Sequence, residues 1–214
     1  MRKTFLFIFL VSFFACQQPS KKKKVVEKPQ VDAKILVSCE GIGDVKLTDT
    51  YPELKKKFGR DAITEHENNV EGKFLSLWEG KPKQVNIIFQ HEKDAPFKRI
   101  KYIETGASDS PYMTSDSLRV GLSLKDLVRR NGFMPLTFNN FYGEVESGLI
   151  ISFNNGDLSR TNSCFGGKLE WVSQENIYKD VYDAFKKRKV VESSDDIFNR
   201  MEVMLGSIRV TAKQ

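Results

Sequence analysis

Two passages of the chain share one pattern of hydrophobic and polar positions, because residues 118–132 align without gaps on residues 45–59. Each opens with an apolar, basic, apolar triplet, which predicts a short strand. A hydroxyl residue then precedes an apolar stripe at helical spacing, with an acid three residues further on, and this predicts a capped helix of about two turns. Basic residues and a glycine follow, as at a helix end. The cap, acid and glycine are Thr50, Glu53 and Gly59 in the first passage and Ser123, Asp126 and Gly132 in the second.

Antiparallel strands are predicted after each helix. In the first half, turns rich in Gly and Pro separate three apolar segments. Val85, Ile87 and Phe89 alternate there with polar residues, which predicts a strand with one buried face. In the second half, Asn155-Gly156 is a strong hairpin signal. The predicted strands are Phe74–Trp78, Val85–Gln90, Lys98–Ile103 and Leu149–Phe153. A further strand is predicted near Gly167 to Val172 and ends at Trp171.

The C-terminal part of the chain adds one more helix and one more strand. An amphipathic pattern over residues 174–187 predicts the helix, and a final strand is predicted over residues 203–211. The apolar face of that helix is formed by Ile177, Val181, Ala184 and Phe185. Residues 105–117, rich in Ser, Asp and Gly, are the predicted link between the halves.

These elements predict an α+β fold of two tandem helix-plus-antiparallel-sheet repeats. The first repeat is expected over residues 34–110. The second is expected over residues 111–214 and includes the additional C-terminal helix and strand.

Residues 1–15 have the pattern of a secretory signal peptide. Arg2 and Lys3 are positive, and an apolar run follows that ends in the small residue Ala15. The run is about a dozen residues long, against the roughly 20 needed to cross a bilayer, so a cleaved signal is favoured over a transmembrane helix.

The segment Phe13-Phe14-Ala15-Cys16 resembles the lipobox of bacterial lipoproteins, in which the cysteine is acylated and the signal is cut before it. Phe13 and Phe14 stand where the usual lipobox has Leu and a small residue. The resemblance implies that Cys16 carries acyl chains such as palmitate, and each buried methylene contributes about 0.8 kcal/mol to anchoring. Gln17, in place of the Asp that retains enteric lipoproteins in the inner membrane, implies the outer membrane. The alternative is a signal peptide with an incidental cysteine.

Residues 16–33 are predicted to form a lipidated, disordered tether, because they are polar and have no apolar period. The basic residues up to Lys28, less Glu27, account for the whole net charge of +6. The folded part is therefore formally neutral, which excludes the charge pattern of a nucleic-acid binder. The cluster Lys21 to Lys24 favours a domain that faces the periplasm. It can approach anionic head groups or serve as a solvated spacer.

A helix-first unit followed by an antiparallel sheet, duplicated in an exported chain, resembles the β-lactamase inhibitory protein fold and the single-unit outer-membrane lipoproteins of the SmpA/OmlA type. Val120-Gly121-Leu122-Ser123 approximates the opening of those units, while Leu47-Thr48-Asp49-Thr50 lacks the glycine. The chain also resembles lipoproteins of Gram-negative bacteria such as Bacteroidota, whose second unit carries Asn-Gly followed by aromatics, as in Asn131-Gly132-Phe133. The resemblance implies action by protein contact and brings no enzymatic activity.

Cys39 and Cys164 are the thiols that remain once Cys16 is acylated, in an oxidising compartment. A disulfide between them would close a loop of more than about 100 residues and contribute about 4 to 5 kcal/mol by chain-entropy reasoning. Two buried free thiols are an equal alternative, because sequence does not give the geometry.

His66, within Glu65-His66-Glu67, could join Glu71 or His91 in a metal site. The spacing matches no zinc pattern, and a solvated polar loop is the favoured interpretation. The chain also has no nucleophile elbow and no phosphate loop. No catalytic residue, cofactor or metal is therefore predicted, and a small metal-dependent envelope enzyme is the less favoured class.

Aromatic residues crowd the second half of the chain. If exposed on a sheet, Tyr and Trp would make a protein-binding patch, whereas the alternative is that they are core. The best candidates for the patch are Phe141, Tyr142 and Trp171. The sequence thus favours a non-enzymatic, lipid-anchored envelope protein that contacts another envelope or secreted protein. An inhibitor of a secreted hydrolase is the alternative.

Overall fold

The computed structural model describes residues 31–90, 97–143, 146–161 and 163–212. The chain from Val31 onward forms one compact unit. The predicted signal peptide, Cys16 and most of the predicted tether lie outside the described residues, as does His91. The helices are α1 Tyr51–Phe58, α2 Leu124–Arg130, α3 Asp157–Thr161 and α4 Lys179–Lys186.

The strands lie throughout the described chain and alternate with these helices. Their bounds are β1 Leu36–Ser38, β2 Gly41–Ile42, β3 Val45–Lys46, β4 Ile63–Asn68, β5 Gly72–Leu77, β6 Val85–Phe89, β7 Ile100–Thr105, β8 Met113–Thr114, β9 Thr137–Asn139, β10 Ile150–Ser152, β11 Phe165–Gln174, β12 Val190–Glu192 and β13 Met201–Thr211. The predicted α+β class is confirmed.

The main sheet has six strands in the order β11-β13-β7-β6-β5-β4, and every neighbouring pair is antiparallel. A four-stranded sheet has the order β3-β2-β1-β8, in which β1 and β8 run parallel. A three-stranded sheet has the order β10-β9-β12. The main sheet is therefore continuous across both halves of the chain, because β13 pairs with β7.

The two predicted capped helices are confirmed as α1 and α2. The Glu53 carboxylate accepts a hydrogen bond from the backbone N–H of Thr50 at 2.8 Å and another from the Thr50 hydroxyl at 2.8 Å. In α2 the Ser123 Oγ accepts from the backbone N–H of Asp126 at 3.1 Å. Gly59 and Gly132 both have positive φ, as a helix end requires. The local pattern was sufficient here because a cap joins residues only three apart.

The tandem repeat is not confirmed, because the chain takes different courses after the two helices. After α1 the strands β4, β5, β6 and β7 form a meander of sequential neighbours. After α2 the strands are divided between two sheets, and α3 and α4 interrupt them. The triplet at residues 118–120 makes only an isolated bridge between Arg119 and Met113.

The predicted hairpin at Asn155-Gly156 is wrong. Asn154 and Asn155 both have positive φ, but the chain then enters α3 instead of returning as a strand. The reason is a distant side chain: Asn131, fully buried, accepts the backbone N–H of Leu158 at 3.2 Å. Its amide also donates to the Phe153 carbonyl at 2.8 Å, so both sides of the turn are held.

The predicted polar loop around His66 is also wrong, because residues 63–68 form the edge strand β4. Only Ile63 and His66 of this strand are half-buried, so the segment lacks the alternation that identifies a half-buried strand in sequence. The predicted C-terminal helix begins later than expected, at Lys179, because Gln174 still pairs with Met201 in the sheet. The strand expected to end at Trp171 continues to Gln174 for the same reason.

The core of the described residues is one cluster of buried apolar side chains drawn from all the sheets and helices. Val85, Ile87 and Phe89 are buried, as the alternation predicted, and Ile88 between them is buried as well. None of the helices in the described part of the chain is both long and apolar enough to span a bilayer.

Candidate functional site

An aromatic cluster lies where the loop after β9 meets α4 and β11. The ring of Tyr142 is 6.0 Å from that of Trp171 and 6.0 Å from that of Tyr182, centroid to centroid. The hydroxyls of Tyr142 and Tyr182 share a hydrogen bond. Beneath them the buried Phe185 ring lies 6.3 Å from Tyr142. Edge-to-face rings at these distances attract one another beyond the burial of their surface.

Asn140 holds the two parts of this cluster together. Its fully buried amide donates to the carbonyls of Phe185 at 2.8 Å and Arg188 at 2.9 Å, at the C-terminal end of α4. Its backbone N–H donates to Lys189 O at 2.9 Å. These bonds join the C-terminal end of α4 and the residues after it to the loop that carries Tyr142.

The cluster continues onto an exposed face of α4. Tyr142 is 38 % exposed, Tyr178 is 78 % exposed and Val181 is 47 % exposed. Tyr178, Val181 and Tyr182 are spaced three and four residues apart, so they share one side of the helix. We call Tyr142, Trp171, Tyr178, Val181 and Tyr182 the aromatic surface. Exposed rings with hydroxyl groups are typical of protein-contact sites.

The aromatic surface carries no charge of its own. Partial burial raises the pKa of Tyr142, and the hydrogen bond with Tyr182 raises it further. The indole N–H of Trp171 donates to Ser173 O at 3.0 Å. The surface can therefore bury apolar area against a partner while its polar atoms keep hydrogen bonds.

Of the three residues predicted for a binding patch, the structure brings Tyr142 and Trp171 together. Phe141 is half-buried and its ring packs 5.7 Å from the fully buried Phe138, so it belongs to the core edge. Sequence reasoning missed Tyr178 and Tyr182, and it placed Val181 on the buried face. The available signal was the amphipathic pattern of residues 174–187, but it counted Ile177, which precedes α4, and within α4 the buried residue is Phe185.

Cys39 and Cys164 are joined by a disulfide, with their Cα atoms 5.5 Å apart. Cys39 lies in the exposed turn between β1 and β2, and Cys164 is buried at the start of β11. The bond therefore ties the four-stranded sheet to the main sheet across a sequence separation of 125 residues.

The residues considered for a metal site are not gathered in the described structure. His66 stacks on Phe74 at 4.8 Å and lies 3.1 Å from Glu79. Glu71 instead accepts the Tyr102 hydroxyl at 2.6 Å. Within residues 31–90, 97–143, 146–161 and 163–212, no group of three or more His, Cys, Asp or Glu side chains could hold a metal ion.

Comparison of the chain with protein-family models, with curated proteins and with solved structures found no match.

Proposed function

We propose that this protein is a lipid-anchored cell-envelope lipoprotein that acts without catalysis, by binding another envelope or secreted protein through the aromatic surface. The exposed Tyr142 beside Trp171, together with the exposed Tyr178 at the start of α4, carries this proposal. A monomeric protein rarely leaves neighbouring large apolar side chains open to water unless they contact something.

The signal pattern of residues 1–15 and the position of Cys16 support the anchor. The Cys39–Cys164 bond supports an oxidising compartment, because such bonds persist outside the cytosol. The proposal includes an anchor in the outer membrane and a folded domain that faces the periplasm. They depend on Gln17 and on the basic cluster at Lys21 to Lys24.

We also propose that residues 45–59 and 118–132 descend from a duplicated element of the kind found in the β-lactamase inhibitory protein fold. In both passages the cap hydroxyl donates to the carboxylate three residues on, Thr50 to Glu53 and Ser123 to Asp126, and this common bond supports the proposal. The binding proposal does not depend on the duplication.

The anchor is tested by metabolic labelling with a palmitate probe. We expect label in the wild-type protein and none in Cys16→Ala, which should also move from the membrane fraction to the aqueous fraction. Cys39→Ala is the matched control and should keep the label. Equal labelling of the Cys16→Ala protein would contradict the proposal.

The aromatic surface is tested by placing a photoreactive amino acid at Tyr178 in growing cells. We expect a discrete cross-linked adduct that disappears when Tyr142→Ser and Trp171→Ser are added. The control is the same photoreactive residue at Val70, which is 65 % exposed but lies in the β4–β5 turn. The same adduct from both positions, or none from Tyr178, would contradict a partner at this surface.

A further inference from the structure

A cavity of about 480 Å³ lies where α2, the end of β11 and the beginning of β13 meet. Its walls include apolar side chains from α2, from the turn before β13 and from β13 itself. These are Leu124, Val128, Phe198, Met201 and Val203. Charged residues of both signs stand around it, among them Lys125, Glu175, Arg200 and Glu202. The size is that of a site for a few side chains.

The hydrogen bonds at the two ends of this part of β13 fix which way its backbone faces. The carbonyl of Arg200 accepts from Glu175 N–H at 2.9 Å, on the β11 side. Leu205 bonds on the opposite side, where its N–H donates to Leu122 O and its carbonyl accepts from Gly121 N–H, both at 2.8 Å. Successive residues of an antiparallel strand alternate in direction. Met201 and Val203 therefore face away from β11, like Leu205.

The course of the chain leaves the side of β13 that faces away from β11 without a neighbouring strand at Met201–Val203. Residues 121–123 run beside β13, with Ser123 bridging to Met204, and then turn into α2 at Leu124. The place that a continuing strand would occupy, next to Met201 and Val203, is the cavity. Among the described residues outside the β11–β13 ladder, none on that side bonds the N–H of Val203 or the N–H and carbonyl of Met201. Buried backbone groups are nearly always paired, so this edge is a template for another strand.

We propose that the partner protein inserts an extended peptide segment here, as a short added strand beside Met201–Val203, with one apolar side chain filling the cavity. This inference rests on the proposed function, since it names the part of the partner that is bound. A strand supplies donors and acceptors at the spacing of Met201 and Val203, whereas a small apolar molecule would leave these groups unpaired. The mixed charges around the cavity suit a neutral peptide backbone better than an ion.

The test begins with amide hydrogen exchange by NMR on the full chain carrying Cys16→Ser, which cannot be acylated. In the free protein we expect the N–H of Val203 to exchange at least about a hundredfold faster than that of Leu205 in the same strand, which is bonded to Leu122 O. Equal protection of the two amides would overturn the inference, because the edge would already be paired.

The ligand is then sought with a phage-displayed library of random linear heptapeptides. We expect enriched peptides with an apolar residue, and synthetic copies that slow exchange at the Val203 N–H. Val128→Trp, which fills the cavity, should weaken their binding by at least about tenfold. Val70→Trp, in the exposed β4–β5 turn and away from both the cavity and the aromatic surface, is the matched control and should leave it unchanged.

Copies of the selected peptides with alternate backbone nitrogens methylated separate strand pairing from burial of a side chain. Loss of binding supports the added strand. Retained binding by the methylated copies, or no enriched peptide, would overturn it. These outcomes are independent of the Tyr178 cross-linking experiment. A cross-linked adduct without peptide binding supports the proposed function and overturns only this inference. Peptide binding without an adduct leaves the cavity beside Met201–Val203 as the contact with the partner.

Discussion

Buried asparagines decide the local course of the second half of the molecule. Asn131 and Asn140 are both fully buried, and each joins segments that are distant along the chain. Their side-chain N–H groups donate to carbonyls of those distant segments, so each asparagine favours the arrangement of the loops that keeps these buried bonds. Asn131 thereby starts α3 where the local sequence favours a hairpin.

We predict that Asn131→Ala lowers the free energy of unfolding by about 3 kcal/mol, because the carbonyls of Met134 and Phe153 and the N–H of Leu158 lose buried partners. Urea denaturation measures the change. Asn139→Ala is the control: its half-buried amide makes one bond, to Glu146 O at 3.2 Å, so a loss of about 1 kcal/mol is expected. Similar losses in the two variants would contradict the role given to Asn131.

The buried hydroxyl of Tyr112 leads us to predict that the free energy of unfolding falls at alkaline pH. Burial first, and then the charge of Asp44, raise the pKa of its hydroxyl to about 12. A group whose pKa is raised on folding stabilises the protein fully below its unfolded pKa of about 10, and that stability is lost as pH rises toward about 12.

Tyr112→Phe has no proton to lose, so we expect its unfolding midpoint in urea to fall less than that of the wild type between about pH 9 and about pH 11. The two proteins are compared by parallel titrations at each pH. Parallel losses of stability in both proteins would show that Tyr112 does not titrate differently on unfolding.

At the scale of elements, the short helices are specified at their ends. Helix α1 buries Leu54, and its other residues are exposed or half-buried. Because a helix this short gains little stability from packing, the hydrogen bonds between Thr50 and Glu53 at its first turn matter. At the start of α2 the Ser123 hydroxyl likewise donates to the carboxylate three residues on, that of Asp126, at 2.9 Å. Both were predictable because the interacting groups are neighbours in sequence.

We therefore predict that Thr50→Ala lowers the free energy of unfolding by about 1 kcal/mol. Thr50→Ser keeps the hydroxyl and should change it by only about 0.3 kcal/mol. The measurement is again the unfolding midpoint in urea. An equal effect of Ala and Ser would mean that the cap hydroxyl does not contribute.

Strand β4 illustrates an element that depends on its surroundings. Its burial does not alternate: Ile63 and His66 are half-buried, and Glu65 and Glu67 are exposed. It is a strand because β5 beside it presents an edge, with which Ile63 to Asn68 pair residue by residue. Charged side chains on such an outer strand also discourage pairing with other chains. No local pattern marked this segment as a strand.

For the whole molecule, the two halves are joined by the continuous main sheet and by the Cys39–Cys164 bond. The bond constrains the unfolded chain over 125 residues of sequence separation. Reduction should lower the free energy of unfolding by up to about 4 to 5 kcal/mol.

The reduction experiment compares urea unfolding with and without a phosphine reductant. The double variant Cys39→Ser with Cys164→Ser is the control, and it should be as unstable as the reduced protein and insensitive to the reductant. A wild-type protein that does not respond to reduction would contradict a stabilising role for the bond.

The sequence by itself determined the helix caps, the α+β class and most strands of the first half, because each depends on residues close together in the chain. Only the tertiary structure decided the course after α2, the start of α4, the strand β4, the grouping of Tyr142, Trp171 and Tyr182, and the open edge at Met201 and Val203. These depend on side chains and strands that meet from distant positions. Their pairing energy exists only once the whole sheet has formed.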